Sequence, residues 1–331
     1  MRAALLTSSP GAEGAAIGER DPGPVPREHV RVRVAFAGVN HIDLLIADGK
    51  LALAPRPAGL GLELAGTVEA LGEGARGPAV GARVVAMGTP FTGAFAELAD
   101  VEARRAVLVP DGVPLDRAAA SVVTYATAWT LLRDRARIAP GETVLVYGAA
   151  GGVGTAALQL ARHLGARPIA LVGDPSKGDH AARHGAASAI DHRREDVAAR
   201  VRALTDGRGV DVVLNAAGGA TLARDLGLLA PFGRLVCFGF LEGPPGGAEL
   251  GAALAEGFGR SVSLAVSDLF TSYREAPERF SRTVEEVLAL VARGALEPAI
   301  HATWPLERVG EALDALRARA VHGKVLLRCA A

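Results

Sequence analysis

The stretch VLVYGAAGGVG, residues 144–154, decides the fold of this 331-residue chain. An apolar, β-branched run ends there in a glycine-rich turn. From Val153 onward, apolar residues recur at the three- and four-residue spacing of an amphipathic helix, and Gly165 follows as a helix stop. A strand, a glycine turn and a helix in this order predict the beginning of a β-α-β unit.

The spacing of the glycines in this turn indicates phosphate binding. Gly148 permits a tight turn, and Gly154 lets the helix pack closely on the strand, while the glycines between them let the backbone approach a pyrophosphate. The helix N-terminus adds amide groups and the positive end of its dipole. The spacing G-x-x-G-x-x-G departs from the usual G-x-G-x-x-G, and a turn without a ligand is the alternative. We favour a nucleotide site, because strand and helix flank the turn correctly. Its residues are Gly148, Ala150, Gly151, Gly152, Val153 and Gly154.

Composition and charge exclude several classes of function. The formal net charge is zero, which provides no electrostatic footprint for a nucleic acid or a membrane surface. The chain has no uncharged apolar run of about 18 residues, and its N-terminus lacks an apolar core long enough for a signal peptide. Two cysteines, Cys237 and Cys329, provide neither a disulfide scaffold nor a cysteine-rich metal site. We expect a cytoplasmic protein with no nucleic-acid or membrane partner.

The hydrophobic pattern divides the chain into regions of two kinds. Short strands separated by glycine turns, beginning with the alternating VRVRVAF at residues 30–36, predict a small barrel-like β domain. From about residue 120, strands alternate with helices, which predicts a parallel sheet wound on both sides. The alternation becomes irregular after about residue 258. We therefore place domain boundaries near residues 120 and 258.

Four segments together resemble one protein family. They are AGVNHID (37–43), GLELAG (61–66), GETVLVYGAAGGVG (141–154) and VHGKVLL (321–327). The set resembles the medium-chain dehydrogenase/reductase superfamily, and within it the zinc-independent quinone oxidoreductase and enoyl reductase branch. The resemblance implies an α/β fold in which a Rossmann-type doubly wound parallel sheet, residues 121–257, is inserted into a GroES-like β-rich catalytic domain, residues 1–120 and 258–331. It also implies a homodimer.

The same family resemblance predicts that the chain holds no metal. Zinc-dependent members of the superfamily carry a cysteine where this chain has Asn40 and a histidine where it has Leu62. Near residue 122, where a third ligand is expected, there is no cysteine. Catalytic zinc needs three protein ligands and an open position. Without zinc, dehydrogenation of an alcohol is disfavoured, because nothing evident stabilises the alkoxide.

The resemblance implies two catalytic residues. Asn40 lies at the family's active-site asparagine and would orient the substrate or the nicotinamide ribose; the alternative is a turn asparagine that fixes local backbone. Thr127 matches a threonine that contacts the nicotinamide side; the alternative is a buried helix threonine bonded to its own backbone. Many relatives have a tyrosine soon after Gly49, where this chain has Lys50 and Leu51. The sequence therefore does not identify the group that donates the proton to the substrate.

Residues after the second strand of the parallel sheet determine the choice of cofactor. Gly173 stands where an NAD enzyme usually has an acidic residue, and Asp174 is explained as a helix N-cap before a proline. Lys177 matches the lysine that relatives use on the extra phosphate of NADPH, with Ser176 beside it, and His192 stands where they often have tyrosine. Asp174 would repel that phosphate somewhat. We favour NADPH over NADH.

Further cofactor neighbours are expected where other strands end. Asn215 and the backbone at Gly239 and Phe240 follow two strands on their carboxyl side, where ligands bind in such sheets. Lys324 could reach the cofactor from the C-terminal tail, although a surface lysine is an equal alternative.

Hydride addition to an activated double bond is the reaction that these residues support. The developing charge is an enolate, which a few hydrogen-bond donors can hold without a metal. We predict an NADPH-dependent reductase of a quinone, an enone or an enoyl compound, a small-molecule substrate. A specialised biosynthetic or polyketide-type enoyl reductase with a large substrate remains an alternative, as does a non-catalytic NADPH-binding protein.

Overall fold

The computed structural model describes residues 1–6, 15–51, 58–88, 93–244 and 246–329. The chain forms two compact units, the first made of Met1–Val123 with Ala276–Ala331 and the second of Thr124–Glu275. In the described residues, no helix is both long and apolar enough to cross a membrane.

The N-terminal segment of the first unit is mostly β-structure, as the glycine-punctuated pattern predicts. Its elements in chain order are β1 (Arg2–Leu6), β2 (Ala15–Glu19), β3 (His29–Val39), α1 (His41–Ala47), β4 (Ala58–Gly59), β5 (Glu63–Leu71), β6 (Arg83–Met87), β7 (Leu98–Glu102), β8 (Val107–Leu108) and α2 (Leu115–Ala119). The alternation in β3 has the expected effect, because Val30, Val32 and Val34 are fully buried while Arg33 is exposed. Arg31 is also buried, because its guanidinium pairs with Asp100.

The second unit is built on a parallel sheet. Its elements in chain order are α3 (Val122–Trp129, which begins two residues before the unit), β9 (Thr143–Val146), α4 (Gly152–His163), β10 (Arg167–Val172), α5 (Pro175–Arg183), β11 (Ser188–Asp191), α6 (Val197–Leu204), β12 (Val210–Asn215), α7 (Thr221–Leu228), β13 (Leu229–Cys237), α8 (Ala248–Gly257), β14 (Ser263–Val266) and α9 (Leu269–Glu275). The sheet order β11-β10-β9-β12-β13-β14 is that of a Rossmann fold. The predicted doubly wound sheet is confirmed.

The order of these strands selects a position for a ligand. The chain reverses direction across the sheet beside β9, whose neighbours are β10 and β12. In sheets of this type, ligands bind outside the carboxyl ends of the strands at such a switch point. The glycine turn that follows β9 lies there.

The C-terminal segment returns to the first unit. It contributes α10 (Pro277–Ala292), β15 (Ile300–Pro305), α11 (Val309–Arg317) and β16 (Lys324–Arg328). The main sheet of this unit has the order β15-β16-β3-β5-β6-β8, with β7 also paired to β3. The resulting core combines valines of β3 with Leu306, Leu313 and Val325 from the tail. The tail strands β15 and β16 thus extend the main sheet of the first unit.

One predicted boundary differs from the structure. The first change of unit, after Val123, lies close to the expected residue 120. The second lies after Glu275 rather than at residue 258, because β14 pairs in parallel with β13 and extends the sheet of the second unit. The irregular sequence after residue 258 concealed this strand, which is only four residues long.

Candidate functional site

The backbone of the glycine turn after β9 favours glycine at two positions. Gly148 has a φ of 55°, in the left-handed region. A Cβ on Gly154 would lie 2.2 Å from the carbonyl oxygen of Gly148, so a side chain there would displace the turn. These two glycines therefore bring the end of β9 and the first turn of α4 into close contact.

The start of α4 has the properties of an anion site. Gly151 is the N-cap residue and, in the described part of the chain, no side chain caps this end of the helix. The amides of the first helical turn have no intrahelical acceptor, and the helix dipole favours negative charge beside them. The predicted phosphate residues Gly148, Ala150, Gly151, Gly152, Val153 and Gly154 all belong to this turn and helix start. The arrangement can bind a pyrophosphate through its backbone.

A second group of polar residues follows β10. Asp174 is the N-cap of α5, as predicted, and accepts a hydrogen bond from the Lys177 amide at 3.0 Å. Its carboxylate also accepts from Ser176 Oγ at 2.6 Å and lies 3.3 Å from Lys177 Nζ. The hydrogen bond from Ser176 is the largest of the effects that lower the pKa of Asp174 to about 2. Asp174 therefore carries a full negative charge and holds the donors predicted to bind a phosphate.

Gly173 lies against the residues that follow β11. A Cβ on Gly173 would be 3.2 Å from His192 Nε2 and 3.3 Å from Arg193 Nε. The structure thus brings the predicted residues Gly173 and His192 together and adds Arg193, which the sequence analysis missed. Arg193 could have been found from the sequence, because it immediately follows His192 and both residues lie just beyond the carboxyl end of a strand.

The loop after β12 is shaped by the side chain of Asn215. Its Oδ1 accepts hydrogen bonds from the amides of Ala217 and Gly218, each at 2.8 Å. Its Nδ2 donates to Thr221 Oγ1 at 2.9 Å and to Asp225 Oδ2 at 2.7 Å. The Asn215 side chain is completely buried, so it organises the loop from within.

The neighbouring loop after β13 packs against the first one. A Cβ on Gly239 would lie 2.6 Å from the carbonyl oxygen of Ala216, so this close approach requires glycine. The following Phe240 is 54% exposed. Both predicted residues thus lie where the carboxyl end of β13 leaves the sheet, and the Phe240 ring is accessible.

A buried acid completes the support of the loop after β12. Asp225 is fully buried and accepts a hydrogen bond from the Tyr147 hydroxyl at 2.9 Å. Burial raises the pKa of Asp225, whereas the Arg224 guanidinium beside it opposes that rise. The sequence analysis did not identify this group. Its members come from α7 and the turn after β9, so no local pattern connects them.

The first unit contains a buried cluster around Asn40. The strand register places Gly38 opposite Glu63 and Val39 opposite Val325, so Asn40, Glu63 and Lys324 meet beyond the end of β3. Lys324 Nζ lies 2.5 Å from both Glu63 Oε1 and Asn40 Oδ1. Asn40 Nδ2 donates to Glu63 Oε1 at 2.8 Å. Lys324 is 4% exposed and is therefore not a surface lysine.

Asp43 adds a second acid to this cluster. Its Oδ2 accepts a hydrogen bond from the Asn40 amide at 2.8 Å, while Oδ1 is buried and has no hydrogen-bond partner among the described residues. Burial raises the pKa of Asp43 to about 7, although the hydrogen bond from the Asn40 backbone opposes that rise. Asp43 thus has a structural role, since it closes the first turn of α1 onto Asn40.

Thr127 lies on α3 in the second unit and is half-buried. Its contact with the nicotinamide side stays a prediction.

Comparison with known proteins places the chain in a family. The family model of the alcohol dehydrogenase GroES-like domain matches residues 26–111, and that of the zinc-binding dehydrogenases matches residues 152–289. A quinone oxidoreductase of Pseudomonas aeruginosa is 38% identical over 305 residues, which is 92% of this chain and 92% of that protein. The chain belongs to the medium-chain dehydrogenase/reductase superfamily.

Two further comparisons locate the chain within the superfamily. The crystal structure of Escherichia coli quinone oxidoreductase complexed with NADPH superimposes with a TM-score of 0.92 and 31% identity, covering 99% of this chain and 100% of that one. A phenolphthiocerol/phthiocerol polyketide synthase protein of Mycobacterium tuberculosis is 35% identical over 91% of this chain and 13% of its own length. The predicted quinone oxidoreductase branch is confirmed, as are the Rossmann-type and GroES-like architectures.

Two of the positions that bind zinc in other members of the superfamily are occupied differently here. Leu62 is buried at 1% exposure, and the side-chain amide of Asn40 is hydrogen-bonded to Glu63 and Lys324. In the parts of the chain that the structure describes, no three His, Cys, Asp or Glu side chains converge as a metal site.

Proposed function

We propose that the protein is an NADPH-dependent reductase that transfers a hydride to an activated C=C bond of a quinone, an enone or an enoyl compound, without a metal. The glycine turn with the uncapped start of α4, beside the basic group after β10 and β11, carries the proposal. This arrangement offers backbone amides for a pyrophosphate and cationic side chains for a further phosphate. The resemblance to an NADPH-bound relative supports the same cofactor.

The residues of the second unit fit NADPH by their chemistry. The close approach of Gly148 and Gly154 holds the first turn of α4 against the end of β9, and the amides of this turn can donate to a pyrophosphate. Lys177 and Arg193 provide positive charge for the additional phosphate, and Ser176 provides a hydroxyl donor. Asp174 competes for Ser176 and Lys177, so we expect NADPH to be preferred over NADH by a modest factor. When bound, NADPH supplies the hydride.

The proposal excludes zinc on the chemistry of the side chains. Leucine at position 62 has no donor atom, and an amide oxygen is a weak zinc ligand compared with thiolate or imidazole. In addition, the Lys324 ammonium contacts Asn40 Oδ1, and a second cation beside it would be repelled. A reduction that builds up enolate charge needs hydrogen-bond donors rather than a Lewis acid. Thr127 remains the proposed contact on the nicotinamide side.

The proposal includes a homodimer joined through β14. This strand lies at the edge of the described sheet, and an edge strand presents backbone groups that another chain can pair. Exposed apolar side chains lie on and before it, with Val266 at 60% exposure and Phe258 at 89%. A second copy of the chain would cover them. The proposal also keeps the cytoplasmic location that the cysteine content favours.

A second candidate is an enoyl reductase of the polyketide type. The observation that favours it is the 35% identity to part of a polyketide synthase over 91% of this chain. This candidate uses the same cofactor site and the same hydride chemistry, and it differs in the size of the substrate. The two can therefore be separated only by their substrates.

The experiment is an assay of NADPH oxidation with simple quinones, small enones and enoyl thioesters, together with zinc analysis of the purified protein. Turnover of quinones and small enones supports the first candidate, and turnover restricted to enoyl thioesters supports the second. NADPH binding without turnover on the whole panel would refute both and leave a nucleotide-binding protein without catalysis. Stoichiometric zinc would refute the metal-free mechanism.

A further inference from the structure

The hydrogen bonds of the Asn215 side chain are all made inside the second unit. An asparagine side chain has two N–H donors and an oxygen with two lone pairs. Its Nδ2 donates to Thr221 Oγ1 at 2.9 Å and to Asp225 Oδ2 at 2.7 Å. Its Oδ1 accepts from the amides of Ala217 and Gly218, each at 2.8 Å. The side chain therefore acts on the loop that follows it and has no polar group left for a ligand.

This loop is joined by backbone hydrogen bonds to the next one. The two loops are residues 216–219 after β12 and residues 239–243 after β13. The Gly219 amide donates to the Gly243 carbonyl oxygen at 2.8 Å. In the opposite direction, an amide of the second loop donates to the Ala217 carbonyl oxygen at 2.7 Å. A displacement of the first loop would therefore displace the second.

The charge of Asp225 fixes the orientation of the Asn215 amide. Rotating the amide by half a turn would direct its oxygen at the Asp225 carboxylate and its NH₂ group at the two backbone amides of the loop. The first contact would be repulsive and the second would place donors against donors, in a place where both side chains are fully buried. Only one arrangement of the amide therefore satisfies the loop.

Tyr147 and Arg224 hold Asp225 in place. The Tyr147 hydroxyl donates to Asp225 Oδ1 at 2.9 Å. Arg224 donates to the same oxygen through Nε at 3.0 Å and Nη2 at 2.9 Å, and Nη2 also contacts the Tyr147 hydroxyl. Among the described residues, both oxygens of Asp225 thus face donors, as an ionised carboxyl requires. Because Tyr147 directly precedes Gly148, the network connects the phosphate turn to the loops after β12 and β13.

The strand order assigns these loops to one half of the proposed cofactor. A Rossmann sheet consists of two mononucleotide-binding halves, which meet at the switch point. The group proposed for the extra phosphate, which NADPH carries on its adenosine, follows β10 and β11 on one side of β9. Because β12 and β13 lie on the other side, their loops belong to the nicotinamide half.

We infer that Asp225 and Tyr147 are positioning residues that act through Asn215, holding the loops after β12 and β13 in the arrangement that binds the nicotinamide half of the cofactor. All three side chains act on the backbone and not on the cofactor. The ligand in this inference rests on the proposed function, whereas the orientation of the Asn215 amide rests on the buried network alone.

An exchange of the acid and the amide tests the orientation without any ligand. In Asp225→Asn, Tyr147 and Arg224 occupy the new amide oxygen, so its NH₂ group faces that of Asn215 and the midpoint of thermal unfolding should fall. In Asn215→Asp, two carboxylates face each other and the midpoint should also fall. The double variant again places a donor opposite an acceptor at the original net charge, so its midpoint should exceed those of both single variants. An unchanged midpoint in Asp225→Asn, or a double variant no more stable than the single ones, would overturn the inference.

The positioning role is tested with whole and partial cofactors. The probes are NADPH and NADH, followed by fluorescence, and adenosine 2′,5′-bisphosphate, which carries the extra phosphate without a nicotinamide and is followed by calorimetry. Asp225→Asn should weaken NADPH and NADH alike by about tenfold and leave the bisphosphate within about twofold of wild type. The double variant should recover most of the loss. Equal weakening of the bisphosphate, or unchanged binding of NADPH, would overturn the inference.

Asp211→Asn is the matched control for this comparison. Asp211 is also a buried acid paired with an arginine, Arg208, but it lies at the opposite end of β12 from Asn215. The control should leave all three dissociation constants unchanged, even if it lowers the unfolding midpoint. A control that separates the cofactors from the bisphosphate as Asp225→Asn does would overturn the inference, because loss of stability alone would then produce the effect.

A double-mutant cycle tests whether Tyr147 acts through Asn215. Tyr147→Phe removes only the hydroxyl and should weaken NADPH by about threefold in the wild-type background. In the Asn215→Ala background, where the link to the loop is absent, it should change the constant little. Equal effects in both backgrounds would overturn the role of Tyr147, which would then act on the phosphate turn directly. A wild-type protein that binds neither NADPH nor the bisphosphate would instead refute the proposed function, and the unfolding comparison would still decide the orientation.

Discussion

Replacing Asp174 by asparagine should strengthen the binding of NADPH and leave the binding of NADH nearly unchanged. The Asp174 carboxylate holds Ser176 Oγ at 2.6 Å and lies 3.3 Å from Lys177 Nζ, so it engages two groups proposed to bind the extra phosphate. It also repels that phosphate, which carries nearly two negative charges at neutral pH. Asparagine keeps an oxygen for the Lys177 amide, and it is as good an N-cap residue as aspartate.

The expected size of the effect follows from the exposure of these groups. The Asp174 side chain is 37% exposed and that of Lys177 is 22% exposed, and an exposed ion pair contributes at most about 1 kcal/mol. Removing the pair and the repulsion together should favour NADPH by about 1 kcal/mol, which corresponds to about a fivefold lower dissociation constant. Because exposed charges are screened, the gain should shrink as the salt concentration rises.

The assay is titration of both cofactors, followed by the fluorescence of the reduced nicotinamide. Asp196→Asn is the matched control, because Asp196 also caps a helix and accepts from the Ala199 amide at 2.9 Å, but on α6. The control should leave both dissociation constants unchanged. An Asp174→Asn protein whose preference between NADPH and NADH equals that of wild type would refute the reasoning.

Three further predictions concern the turn, the buried acid and the dimer. Gly154→Ala should lower the free energy of unfolding by about 1–3 kcal/mol and weaken NADPH binding, because its Cβ would meet the Gly148 carbonyl oxygen. Gly227→Ala is the control and should cost nothing in denaturant unfolding, because its Cβ would meet no atom within 4 Å. Equal effects of the two substitutions would contradict the packing at Gly148. The pKa of Asp43 is about 7 in the folded protein and 3.8 in the unfolded chain. Between these two pH values the carboxyl ionises in the unfolded chain but stays protonated in the folded protein, so the free energy of unfolding falls as the pH rises. Relative to wild type, Asp43→Asn should therefore gain up to about 4 kcal/mol over this window, and parallel stability–pH curves would contradict the raised pKa. Val266→Lys should yield monomers in light scattering, and a persistent dimer would exclude β14 as the interface.

Most of the fold follows from local sequence patterns. Alternation predicted β3, and the glycine turn with its flanking strand and helix predicted the parallel sheet. The N-cap at Asp174 was also predicted, because an acid before a proline is a local signal. The structure changes unit after Glu275 and not near residue 258, because β14 is short and pairs with a strand that precedes it by many residues. Strand pairing over such distances has no local signature.

The candidate site was predictable where it depends on consecutive residues. The phosphate turn and the group after β10 each lie within one short stretch of chain. The surroundings of Asn40 could not be derived in this way, because Lys324 lies 284 residues away and reaches it only through the register of β16 with β3. The same limitation concealed the buried hydrogen bonds of Asn215 with α7. Such contacts depend on tertiary pairing and not on periodicity.

The binding of the two cofactors to the wild-type protein and to Lys177→Ala tests the central claim most directly. Arg183→Ala is the matched control, because Arg183 is an exposed cation in the last turn of the same helix, α5. Wild type should bind NADPH more tightly than NADH, and Lys177→Ala should weaken NADPH by about tenfold while leaving NADH unchanged, because a charge-assisted bond to the extra phosphate is lost. Equal weakening of both cofactors, or tighter binding of NADH by the wild-type protein, would contradict the account.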